Sequence, residues 1–236
     1  MKLDVTSYTL NANECFMNET KKDGVVLHFT AGPTAIPAIQ SFKNGARING
    51  YPVSTAYVVD ADGAVYRLFE DKYWSYHLGI KGPAAQNHKH DKRTIGIEIA
   101  NVGPLRVNGD SLYYWPPANT QTGQPTFKSL YCKVSDKSKY VKLPKAFRGE
   151  SYYASFTQEQ AVAVAELVND ICERHSIPKE IPPDSYRHVF DMSVFGEFSG
   201  VMSHVNFRPD KYDLAPGQAD NIYHNLASYG FSTALL

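Results

Sequence analysis

The stretch TIGIEIANVG, residues 94–103, limits what this chain can fold into more than any other. Ile95, Ile97 and Ile99 face one way, and Gly96, Glu98 and Ala100 face the other. Alternation with period two makes a strand, and a bulky apolar face requires a second layer packed against it. The opposite face is unusual, because small neighbours leave room around one carboxylate. A chain built on this strand needs a core on one side and a polar concavity on the other.

The other elements supply that second layer. GVVLHF, residues 24–29, reads as a buried strand that stops by Gly32, with His28 at its C-terminal end. Over 33–45, Ile36, Ile39 and Phe42 recur at helical spacing before Gly45. AYVVDADGAVYRLF, residues 56–69, is two β runs around a tight turn, the signature of a hairpin. The clearest helix covers 157–175, opened by a capping box of Thr157 and Gln160. Its apolar stripe is Val164, Leu167, Val168, Ile171 and Cys172. Residues 218–231 read as a terminal helix. Strands interleaved with helices, plus a hairpin, predict a single α/β domain over 1–236 with a central mixed β-sheet flanked by helices. Ligands in such domains gather at strand C-terminal ends, near His28 and Glu98.

Residues 104–152 change character. Tyr113, Tyr114 and Trp115 lead into a Pro-rich segment, and Lys128 to Arg148 holds seven basic residues against one acid, Asp136. This predicts an inserted loop or hairpin region, ordered by its β-prone tyrosines.

Lys plus Arg equals Asp plus Glu, so no global charge draws the chain to nucleic acid or an acidic membrane. Cys15, Cys132 and Cys172 form neither a disulfide framework nor a zinc ribbon and read as buried thiols. The N-terminus lacks the apolar core of a signal peptide, and no stretch approaches the ~18 apolar residues of a membrane span. The chain is expected to be made in the cytoplasm.

Residues 203–217, SHVNFRPDKYDLAPG, hold His204, Lys211 and Asp213 in a loop stiffened by Pro209 and Pro216. Two imidazoles and a carboxylate, His28, His204 and Asp213, suit Zn²⁺ with a fourth position left for water. Glu98 on its roomy face fits a general base, and Lys211 fits a cation that stabilises an oxyanion. Residue type alone does not choose among eight histidines. On that ground His28 also reads as a satisfied core histidine, Glu98 as a salt-bridged carboxylate and Lys211 as a solvated cation.

Five segments occur in order: VVLHFTAG, YVVDADGAVYRL, YWSYHLG, IGIEIAN and SHVNFRPDKYDLAPG. Together they resemble the zinc-dependent N-acetylmuramoyl-L-alanine amidases, which include phage endolysins, cell-wall recycling amidases and animal peptidoglycan recognition proteins. The resemblance covers about residues 8–230 and leaves 104–152 unmatched. It implies the amidase fold of that family, Zn²⁺ as cofactor and the muramyl peptide of peptidoglycan as partner. It implies His28, His204 and Asp213 as zinc ligands, the last following Lys211 by two, and Glu98 as general base. His77, in the Trp74 to Gly79 segment, matches a family histidine; with Trp74 and Asn101 it is expected to bind substrate. The tyrosine that phage and animal relatives often use has no counterpart, since Thr55 and Ala56 stand there. Tyr57 points to the other face, so Glu98 is expected to act alone.

A monomer is expected, reaching the cell wall by lysis or through secretion machinery. Rival readings are a peptidoglycan-binding module without catalysis and a zinc peptidase for another amide. His88 and His90 in NHKHDKR read as a solvated loop, and His175, His188 and His224 as structural. The lysine-rich stretch is either a solvated face or a grip on anionic wall polymer. Tyr113, Tyr114 and Trp115 either stack on sugars or fix the insertion to the core.

Overall fold

Six strands make the central sheet, in the order Lys2–Asp4, Ala64–Arg67, Tyr57–Val59, Thr94–Ile99, Gly24–Phe29 and Gly200–Ser203. This is a computed structural model that describes residues 1–48, 50–81, 88–114 and 127–236. The hairpin pair Tyr57–Val59 and Ala64–Arg67 is antiparallel. The remaining neighbours run parallel, so the sheet is mixed. Every residue of Gly24–Phe29 is buried, as a strand covered on both faces must be.

One face carries Val25, Leu27, Ile95, Ile97, Ile99 and Tyr57 into a core shared with helix Gln158–His175. That helix presents Val164, Leu167, Val168 and Ile171, each fully buried. Each such side chain contributes about 1.5–3 kcal/mol by leaving water. The expected capping box is present: Thr157 Oγ1 accepts from the Gln160 amide, and Gln160 Oε1 accepts from the Thr157 amide. Helix Ala35–Lys43 adds Ile39 and Phe42, and helix Asp220–Ser228 adds Ile222 and Leu226. The three cysteines are buried free thiols.

The insertion is larger than a loop or hairpin. It forms a five-stranded antiparallel sheet in the order Leu130–Lys133, Ser111–Tyr114, Pro104–Asn108, Glu150–Ala154 and Tyr140–Phe147. Two prolines hid this in the sequence. Pro104 opens its strand, and Pro144 lies in an edge strand, the places where a missing N–H is tolerated. Leu105, Leu112, Cys132 and Tyr140 give this sheet its own small core. Leu143 and Tyr153 pack instead on Ala215, so the insertion docks against the 203–217 loop. Trp115 lies outside the described residues.

Candidate functional site

Register brings the polar groups together. His28 pairs with Glu98 across two parallel strands, and Ser203 pairs with Leu27. His204, one step past Ser203, therefore arrives beside His28. A short 3-10 turn, His204–Asn206, fixes it there, closed by a capping box between Ser203 and Asn206. The Asn206 amide side chain donates to the Tyr186, Arg187 and Val189 carbonyls. The loop returns through a hydrogen bond from the Val205 amide to the Asp213 carbonyl, 2.8 Å.

His28 Nδ1 lies 2.9 Å from His204 Nδ1, and Asp213 Oδ2 lies 3.0 Å from His204 Nδ1 and 3.4 Å from His28 Nδ1. All three residues are buried. The remaining ring nitrogens decide what these atoms offer. His204 Nε2 donates to the Leu78 carbonyl at 2.7 Å, which leaves Nδ1 with a lone pair. The Thr94 hydroxyl donates to the His90 carbonyl at 2.7 Å, so it accepts from His77 Nε2 at 3.0 Å. His77 Nδ1 is then an acceptor and takes the proton of His28 Nε2 at 2.9 Å. His28 Nδ1 is left with a lone pair as well. Two imidazole lone pairs and a carboxylate oxygen converge on one point, which is the environment of a cation and fits Zn²⁺.

Burial lowers the His28 imidazole to about 4, with the neighbouring His204 ring acting the same way and Asp213 opposing it. Burial also keeps His77 neutral, well below the usual histidine range. Burial would raise the Asp213 carboxyl, but His204 and His28 outweigh it and hold it below the usual carboxylate range. Glu98 goes the other way. Its Oε2 is shielded and has no hydrogen-bond partner, and burial, with Asp213 adding to it, lifts its carboxyl to about 8.

These groups line one cleft of about 360 Å³, together with Lys211, Arg208, Asp210 and Tyr212. Arg208 is committed to Asp210, with Nε donating to Oδ1 at 2.9 Å. Of the residues expected from sequence, His28, His77, Glu98, His204, Lys211 and Asp213 meet here. Trp74 and Asn101 do not. Trp74 stacks on Phe16 at 4.0 Å and donates its indole N–H to Asn18. Asn101 donates to the Ala154 and Ser155 carbonyls and accepts from the Gly103 amide and Gln218, at the junction with the insertion. Tyr57 faces the opposite side, as its register required, and donates to Asp71 at 2.7 Å.

Sequence reading missed the supports. Residues 88–93, HKHDKR, are no solvated loop, and Asn87 lies outside the described residues. His90, Asp91 and Arg93 are buried, and Asp91 Oδ1 accepts from the His77 and Leu78 amides at 2.9 Å each. Gly96 does not merely leave room for Glu98. A Cβ there would meet His77 Nδ1 at 2.9 Å, so the glycine admits the His77 ring. Thr94 was findable, since 94, 96 and 98 share one face of the strand.

A mixed α/β sheet with a polar cleft at the strand ends, holding convergent donors and a shielded carboxyl, defines a hydrolase. Residues 18–217 match the Amidase_2 family, described as N-acetylmuramoyl-L-alanine amidase, and the chain belongs to that family. Similar solved structures include a PlyL mutant, at 10% identity and TM-score 0.51, covering 97% of this chain and 99% of that one. The XlyA catalytic domain matches at 12% identity and TM-score 0.50, with coverages of 97% and 99%. A mutant endolysin from Bacillus subtilis matches at 13% identity and TM-score 0.51, with coverages of 96% and 99%. At these identities the likeness is one of fold. No curated protein matches the chain significantly by sequence.

Proposed function

We propose that the chain hydrolyses the amide between N-acetylmuramic acid and L-alanine in peptidoglycan, with Zn²⁺ held by His28, His204 and Asp213. The observation that carries this reading is the convergence of three buried lone-pair donors beside a glutamate oxygen that has no partner. Bound there, Zn²⁺ supplies a Lewis acid that brings the pKa of water from ~15.7 to about 7. Glu98 takes a proton from the attacking water and delivers it to the leaving nitrogen. A carboxyl raised by burial suits both halves of that transfer. Lys211 stabilises the charge that develops on the carbonyl oxygen. His77 positions His28 rather than substrate, since both its ring nitrogens are engaged with His28 and Thr94. All these side chains come from one chain, so the reading asks for no partner subunit.

Mass spectrometry of purified peptidoglycan digested by the protein tests the reaction. The expected products are sugar chains free of peptide and intact stem peptides with a free N-terminal L-alanine. Stem peptides cut internally, or wall bound but unchanged, would contradict it.

A further inference from the structure

The strands Tyr140–Phe147 and Glu150–Ala154 of the insertion are joined by two residues, Arg148 and Gly149, between the paired Phe147 and Glu150. Both have positive φ, 52° and 85°, the pattern of a type I′ turn. The first position of such a turn favours Asn, Asp or Gly, and a bulky side chain there is strained. An arginine kept in that conformation points to work done by its side chain.

The hairpin packs behind one wall of the cleft, so Arg148 stands next to that wall without lining it. Phe147, Tyr153 and Val141 pack with Tyr212 and Ala215 of the 203–217 loop, and Tyr212 lines the cleft. Phe147 also meets the His188 ring at 6.4 Å, and His188 bonds the Leu214 carbonyl. The Arg148 guanidinium stacks over Phe147 at 5.0 Å, and its Nε is buried with no hydrogen-bond partner. It lies in the field of Asp210 and Asp213. Neither is free to pair with it, since Asp210 is bound by Arg208 and Asp213 is turned to the point shared with the two histidine lone pairs. A buried donor without a partner is costly, and a planar fork of donors matches a carboxylate.

We propose that Arg148 is a specificity-determining residue that binds a carboxylate on the peptide side of the scissile amide. This rests on the amidase reading, which supplies a substrate whose leaving half is a peptide. An arriving carboxylate would meet Asp210 and Asp213, and Arg148 offsets that repulsion. Arg208 is already paired, and Lys211 is assigned to the oxyanion. The family's other chains need not share the device, because it stands on the insertion.

Binding of L-alanyl di- and tripeptides, each as the free acid and as the C-terminal carboxamide, tests this by calorimetry on the full chain as purified. These are product peptides, so turnover does not consume them. At one peptide length the parent should bind the acid ~10-fold or more tightly than the carboxamide, as a charge-assisted pair does. Arg148→Asn suits the left-handed turn and should lose that preference with no loss of thermal stability. Arg148→Lys, which keeps the charge and loses the fork, should keep part of it. A parent without acid preference at either length, or an Asn variant that retains it, would overturn the proposal. Cleavage of muramoyl peptides by the parent is read separately. Acid preference without cleavage leaves the carboxylate site standing and removes the amidase reading, and cleavage without acid preference does the reverse.

Discussion

Glu98 differs from the other carboxylates of the cleft in what it lacks. Asp210 is paired with Arg208 and Asp213 converges with two imidazole lone pairs on the candidate metal position, while Glu98 Oε2 has no partner. Replacing its carboxyl by an amide should leave the metal site intact and abolish proton transfer. Glu98→Gln is expected to bind Zn²⁺ like the parent and to lose about 10²–10⁴ in kcat. Unchanged turnover in steady-state assays would take Glu98 out of the mechanism. His77 is tested differently, because it acts through His28. His77→Ala breaks the chain from the His90 carbonyl through Thr94 to His28 Nε2, and Thr94→Val breaks it one link earlier. Both should weaken Zn²⁺ by about 10–100-fold in a competitive chelator titration, as lost outer-shell partners do. Parent affinity in both variants would make the chain of bonds incidental. The donors themselves were legible in the sequence, since each sits at a strand end or in a proline-stiffened loop. Trp74 and Asn101 were not, because Phe16, Asn18, Ala154 and Gln218, which occupy their side chains, lie far away in sequence.

At the scale of elements, two attachments hold the site's frame. One joins the hairpin side of the sheet to the end of helix Gln158–His175. Asp71 accepts from Tyr57 at 2.7 Å and pairs with Arg174 at 2.8 Å and His175 at 3.0 Å. Burial opposes the Asp71 charge, but these partners outweigh it and bring its pKa down to about 2. A depressed pKa gives stability that is present above the unfolded value near 4 and is lost as pH falls through about 2. Asp71→Asn should therefore destabilise the protein most above pH 5. The gap to the parent should narrow by about 1 kcal/mol between pH 5 and pH 3 in denaturant unfolding. A gap independent of pH would mean that the Asp71 charge is not what joins these elements. The second attachment is the insertion, whose Leu143 and Tyr153 brace Ala215 beside Asp213. Its basic composition was readable, but its strands were not. Proline at an edge and at a strand start looks like loop when pairing partners are unknown. Part of that basic charge is spent within the insertion, Lys133 on Asp110 and Lys137 on Tyr140.

At the scale of the whole molecule, the sheet separates two duties. One face is closed by helices and supplies stability, and the other holds the polar cleft where the strands end. The fold class followed from the alternation at 94–103 and the helix at 157–175, because both patterns are local. Strand order and the union of His28 with residues 204 and 213 depend on long-range pairing, which a single sequence shows only through motifs. The central claim is that this union is a zinc centre. Calorimetric titration of chelator-stripped protein with Zn²⁺ tests it most directly. The parent should take up one zinc per chain, and His204→Ala, folded by circular dichroism, should lose most of that binding. A parent that binds no zinc, or a His204→Ala protein that binds it as tightly as the parent, would contradict the account.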